Sequence, residues 1–177
     1  MAKVKRKIFI FEGPDGAGKT TLAKRVAELT GSRYTHHGPY PEIEDGIELA
    51  ATYLVSTAGP GDVVLDRCWI SERPYSAAAR AGADRLGPLA HAIETTLMLM
   101  PGVDTVVYLC LPQWSRVSEN FIARRGNVLE RGEYLRRMDH LWSVYDSYDT
   151  EDLTSLRCVR IDPFDGRDWA EEIAGDR

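Results

Sequence analysis

The sequence predicts an α/β fold in which a parallel sheet is covered by helices on both faces. Two observations carry the prediction. Short apolar runs alternate with longer stretches whose apolar residues recur at helical spacing, and strands separated by such helices pair in parallel. The first run, Ile8-Phe9-Ile10-Phe11, also passes through a knot of glycines straight into a helical pattern, the strand–loop–helix setting of a phosphate-binding loop. At 177 residues, 44% of them hydrophobic, a single domain over 1–177 is the natural count. A chain of that size buries about 70% of its unfolded surface.

Taken in order, the first run is a buried strand, and Leu22, Val26 and Leu29, with Ala23 and Ala27, form the apolar stripe of the helix behind it. Residues 33–37 are a second strand and Gly46–Thr57 a helix. Gly59-Pro60-Gly61 turns the chain into a third strand at 62–66. Helices follow near 71–81 and 86–100, and Pro101-Gly102 breaks the second before the buried run 105–111. Trp114, Val117 and Phe121 mark one further helix; Tyr134, Met138, Leu141, Trp142 and Tyr145 mark another. Residues 156–161 are the last strand, and a short helix closes the chain. No repeat, linker or low-complexity tract interrupts the pattern.

The glycine knot has a chemical reading. Gly13-Pro14-Asp15-Gly16-Ala17-Gly18-Lys19-Thr20 fits G-x-x-x-x-G-K-[ST], the Walker A pattern. Successive backbone N–H groups make a nest for phosphate oxygens, and the helix starting near Gly18 adds the positive end of its dipole. Lys19 reaches the outer phosphates, and the Thr20 hydroxyl can sit on a magnesium ion. Gly13, Pro14, Asp15, Gly16, Ala17, Gly18, Lys19, Thr20 and Thr21 are therefore the expected ATP-binding residues.

Two further stretches point to the same crevice. In "VVLDRCWISERPYSAAAR" an acid, Asp66, ends a buried strand expected beside the loop, where a magnesium-organising carboxylate belongs. Arg67 would project there too, as a fork of donors for a phosphate. The bland alternative is a helix cap with a surface charge. In "NFIARRGNVLERGEYLRR", Gly126-Asn127 breaks the helix just after Arg124-Arg125. That break suggests a lid near 124–132 carrying guanidinium groups over the phosphates, although a solvated helix face has the same composition.

Composition excludes several classes. The apolar run behind the basic start Met1–Lys7 is only four residues long before Glu12, too short for an export signal, and no span approaches a membrane helix. Cys68, Cys110 and Cys158 lie far apart without C-x-x-C, which indicates neither zinc nor a disulfide framework and fits a reducing cytoplasm. A net charge of −5 argues against a broad nucleic-acid-coating surface while leaving room for local basic patches.

With these residues in view, the chain resembles the thymidylate kinase branch of the P-loop nucleotide kinases over nearly its whole length. "FEGPDGAGKTT", the later "DR…S…Y" and the arginine-rich lid carry the resemblance, and "PGVDTVVYLCLP" and "YLRRMDHLWSVYDSY" are similar to that family's fourth strand and following helix. The resemblance implies a nucleoside monophosphate kinase-like P-loop fold, with five parallel strands in order 2-3-1-4-5. It implies catalytic roles for Asp15, Lys19, Arg67, Arg124 and Arg125, a magnesium site at Thr20 and Asp66, and Ser71 and Tyr75 on the acceptor side. It also allows a homodimer.

The departures fall on the acceptor side. Where the family carries Thr-Arg-Glu-Pro-Gly, this chain has Thr35-His36-His37-Gly38-Pro39-Tyr40; Cys68 and Trp69 follow Asp-Arg, and Ser76 replaces a Gln that reads thymine. A metal pair at His36-His37 runs against strand alternation, since neighbours face opposite ways; one of them can lie near the acceptor. This pattern resembles small phage-type kinases acting on 5-hydroxymethyluracil within DNA. For that acceptor the base must leave the stack, and Tyr40, Trp69 and Tyr75 could stack on it unless they belong to the core. The basic start and lid arginines could hold the strand. The expectation is thus a magnesium-dependent ATP kinase of the cytoplasm, that of the host cell if phage-encoded. Its acceptor is thymidine-related, with hydroxymethylated DNA first and thymidylate second. A P-loop ATPase or switch is the alternative from another class, although N-K-x-D, the pattern that reads guanine, is absent.

Overall fold

The computed structural model describes residues 5–80, 82–124 and 131–176. The chain runs β1 (Arg6–Glu12), α1 (Lys19–Thr30), β2 (Arg33–His36), α2 (Gly46–Thr57) and β3 (Val63–Asp66). A short 3-10 turn, Trp69–Ser71, leads into α3 (Glu72–Ala79), followed by α4 (Pro88–Leu99), β4 (Val103–Cys110) and α5 (Trp114–Arg124). Then come α6 (Arg131–Ser147), α7 (Thr150–Leu153), β5 (Arg157–Ile161) and α8 (Trp169–Gly175). The strands form one parallel sheet in the order β2-β3-β1-β4-β5, as the resemblance implied.

Strand alternation builds the two layers. Ile8 and Ile10 of β1, Val63 and Leu65 of β3, and Val107 and Leu109 of β4 face one way, into a core shared with Leu49, Tyr53, Ile93, Leu97, Leu141 and Tyr145. Phe9, Phe11, Val64, Val106 and Tyr108 face the other way, against Leu22, Ala23 and Val26 of α1 and Ile173 of α8. Every β3 residue is buried, as a central parallel strand requires. Among the described residues no helix is long and apolar enough to cross a membrane.

The parallel register aligns the strand ends that carry chemistry. Phe11 lies opposite Asp66, and Asp66 lies opposite His36. Glu12-Gly13, Asp66-Arg67 and His36-His37 therefore leave the sheet side by side at its carboxyl edge, where ligands of open α/β sheets bind.

Candidate active site

The glycines of the loop meet needs no other residue could. Gly13 has φ +134°, and a Cβ there would stand 2.1 Å from the Cys110 carbonyl oxygen. Gly18 caps α1 in the left-handed region without a side-chain hydrogen bond, and no acid occupies the first turn. The free N–H groups and positive dipole of α1 thus face the loop unopposed. Lys19 is buried, and its Nζ donates to the Pro14 carbonyl at 2.6 Å, which folds the ammonium over the loop. Burial, then repulsion from Arg67, lowers the Lys19 pKa to about 8.

Strand parity explains the next cluster. Asp66 shares the face of Val64, so it meets α1: the Thr20 hydroxyl donates to Asp66 Oδ2 at 2.6 Å. Tyr34 OH donates to the same oxygen at 2.9 Å, and His36 Nδ1 lies 2.9 Å from it. Burial alone would raise the Asp66 pKa; the Thr20 bond, the Lys19 charge and the other two partners together hold it below the usual carboxylate value. Oδ1 of Asp66 is buried without a partner. A hydroxyl beside a carboxylate with one oxygen unused fits magnesium, which takes few protein ligands and completes its shell with water and phosphate. Among the described residues no group of three or more His, Cys, Asp or Glu forms a larger metal cage.

Arg67 stands on the line between two cavities. Its backbone is left-handed at φ +71°, unusual for a residue with a side chain, and its N–H is held by the Phe11 carbonyl at 2.9 Å. The guanidinium donates to Asp15, lies 5.2 Å from the centre of the Tyr75 ring, and keeps Nη1 buried without a partner. A cavity of about 320 Å³ is lined by Asp15, Gly16, Gly18, Lys19, Thr20, Thr21, His36 and Arg67, closed by Phe121 and Tyr134. A second, of about 640 Å³, is walled by His37, Pro39, Tyr53, Ser71, Glu72 and Tyr75 among others. Asp15, His36 and Arg67 line both. They form the waist of one continuous site.

Sequence reasoning did not single out Glu12. It is fully buried between the P-loop and the second cavity's wall, and accepts from Cys68 N at 2.7 Å, from Ser71 Oγ at 2.7 Å and from Tyr145 OH at 3.3 Å. Burial raises its pKa, with the Arg67 charge opposing. Glu12 thereby ties the end of β1 to the segment after Arg67 and to α6. A buried carboxylate at a strand end leaves no local pattern, so only the fold reveals it.

The expected acceptor residues divide. Ser71 and Tyr75 line the larger cavity, but the Ser71 hydroxyl is engaged by Glu12. Tyr40 flanks it: half-buried at φ +44°, it packs edge-on against Tyr53, with its hydroxyl 2.7 Å from His37 Nδ1. Trp69 is a correction. The 3-10 turn drives it into the core at 1% exposure, and its Nε1 donates to Glu94 at 3.2 Å, so it offers no stacking face. Tyr53, His37, Glu72 and Arg85 wall the cavity instead.

Of the basic start, residues 1–4 lie outside the described residues, and Arg6 and Lys7 have local partners. Arg6 donates to the carbonyls of Gly61 and Thr57, and Lys7 pairs with Asp104 at 2.8 Å, all at the opposite end of the sheet. A seven-residue strand spans about 20 Å, so Arg6 and Lys7 lie about a strand's length from the waist. Of the expected lid, Arg124 ends α5, and Arg125 with 126–130 lies outside the described residues. On either side of it, Phe121 and Tyr134 stack with ring centres 4.6 Å apart, which places both aromatics on the phosphate-loop cavity.

No family model and no curated protein sequence matches the chain. Solved structures do. The YorR protein of Bacillus subtilis, in complex with phosphorylated GDP, superposes with a TM-score of 0.71 at 16% identity, over 96% of this chain and 92% of that one. The chain has a P-loop kinase fold. Deoxyadenosine kinase from M. mycoides with bound dCTP follows at 0.60 and 16% identity, over 96% and 97% of the two chains. A gluconokinase from Sinorhizobium meliloti reaches 0.50 at 18% identity, over 98% and 90%. At such identities the likeness is one of fold, and it does not single out the thymidylate kinase branch.

Proposed function

We propose that the protein is a magnesium-dependent kinase that transfers the γ-phosphoryl group of ATP to a thymidine-related acceptor. The observation that carries this reading is the shared waist: a phosphate loop and a larger, aromatic-walled cavity meet at Asp15, His36 and Arg67. A hydrolase or switch needs only the first of these cavities.

Each residue has a role in that reading. The loop N–H groups and Lys19 bind the donor phosphates, while Thr20 and Asp66 hold the magnesium, whose charge neutralises phosphate oxygens. Arg67 lines both cavities at the waist with Nη1 unpartnered, a charge for the transferring group, and Asp15 holds that guanidinium. Phosphoryl transfer needs positioning and electrostatic stabilisation more than covalent chemistry, and these groups supply both. A single nucleoside-sized acceptor fits the 640 Å³ cavity.

Incubation with γ-labelled ATP and a mixture of nucleosides and nucleotides tests the reading. Label recovered in an organic acceptor is the expected result, lost in a folded Lys19→Ala variant. Release of inorganic phosphate alone, whatever acceptor is supplied, would establish the hydrolase instead.

A further inference from the structure

The walls of the larger cavity carry an unusual balance of charge. Glu72 is only 5% exposed, yet its carboxylate reaches Arg85 Nε at 3.0 Å, Arg85 Nη2 at 2.7 Å and Arg80 Nη2 at 2.8 Å. The rest of the Arg85 fork is turned onto backbone: Nη1 donates to the carbonyls of Tyr40 and Ile43, and Nη2 also to that of Pro39. The third arginine, Arg67, pairs with Asp15 through Nη2, and of these three side chains only Arg67 Nη1 and Arg80 Nε are buried without a partner. Among the described lining residues, Arg67, Arg80 and Arg85 thus face Asp15, Glu44 and Glu72, and the formal charges cancel. His37 adds none at neutral pH, because burial, then the neighbouring His36, lowers its pKa to about 4.

A nucleoside monophosphate brings a dianion. In this cavity it would meet carboxylates already holding the arginines that could receive it, and like charges placed together in a desolvated site are strongly disfavoured. Apolar and aromatic walls with paired charges suit a neutral, ring-bearing molecule better. Within the kinase reading, on which this step rests, we propose that the acceptor is an uncharged molecule carrying a hydroxyl group, and that Glu72 selects it by engaging Arg80 and Arg85. The hydroxyl oxygen attacks the γ-phosphorus, and the new O–P bond forms as the bond to the β–γ bridging oxygen breaks. That electron pair leaves with ADP, and the hydroxyl proton passes to water at the waist, where the His36 side chain is half exposed.

The test supplies γ-labelled ATP with separate acceptors: the common deoxynucleosides, 5-hydroxymethyl-2′-deoxyuridine, the corresponding 5′-monophosphates, and an oligonucleotide containing 5-hydroxymethyluracil. We expect label on a nucleoside hydroxyl or on the base hydroxymethyl group, the oligonucleotide arm distinguishing a polymeric source. Monophosphates should be poorer in kcat/KM by about 100-fold or more. A preferred monophosphate overturns the neutral-acceptor proposal and leaves the kinase standing; ATP unconsumed in every arm overturns both. In Glu72→Gln, whose amide oxygen still accepts from Arg85, the preference should move toward monophosphates by about tenfold or more. A folded variant with unchanged preference removes Glu72 from the role, and the wild-type panel decides the neutral acceptor even if the variant does not fold.

Discussion

Adjacent histidines at the end of β2 show how the pleat of a strand divides chemistry between neighbours. His36 shares the face of Tyr34 and reaches Asp66; His37 turns to the other face, wedged edge-on between Tyr40 and Tyr53 with ring centres 5.8 and 5.0 Å away. His37 is 2% exposed, and burial lowers its pKa from 6.5 to about 4. The sign follows. Between those values the unfolded chain binds the proton and the folded chain does not, so this contribution to stability is complete above pH 6.5 and is lost as pH falls toward 4. Its slope is at most about 1.4 kcal/mol per pH unit. Urea unfolding midpoints should therefore fall less between pH 6.5 and 4.5 in His37→Gln than in the wild type, and parallel falls would show that His37 is not held neutral. At this scale the P-loop was legible because the motif prescribes it, and Asp66 because an acid ending a buried strand beside the loop belongs to the same crevice. Glu12 and Glu72 were not, since a buried carboxylate is defined by partners distant in sequence. Trp69 misled because an aromatic after Asp-Arg reads as a stacking face until the 3-10 turn carries it inward.

Among the elements, the segment between β2 and α2 depends on a residue far along the chain. Arg85 holds the carbonyls of Pro39, Tyr40 and Ile43, and Gly46 at the start of α2 passes so close that a Cβ would lie 2.4 Å from the Arg85 carbonyl oxygen. One guanidinium thus positions a whole wall of the larger cavity. Arg85→Ala should raise the acceptor KM by about tenfold or more while leaving ATP affinity near wild type, because the phosphate loop shares none of these bonds. Steady-state kinetics with ATP and acceptor varied in turn would show it; equal loss for both substrates would mean that Arg85 supports the fold as a whole. The strands and long helices were read correctly from apolar spacing, with the predicted helices at 71–81 and 86–100 trimmed to Glu72–Ala79 and Pro88–Leu99. The four residues of α7 escaped because one turn is too short to show a period.

For the whole molecule, the parallel register produces the site. β1, β2 and β3 end level, so three strands deliver Gly13, His36 and Arg67 to one edge, with the phosphate loop on one side and the acceptor wall on the other. Sheet order was legible through the resemblance. The waist was not, because it exists only where two cavities touch. The central claim is that the two cavities serve one reaction there, and Arg67 tests it most directly. Arg67→Ala should lower kcat by about 100-fold or more, with ATP Kd changed only a fewfold, since its free Nη1 acts on charge that develops during transfer. A loss of ATP affinity with kcat unchanged would contradict the account and make Arg67 a ground-state anchor of the phosphate loop.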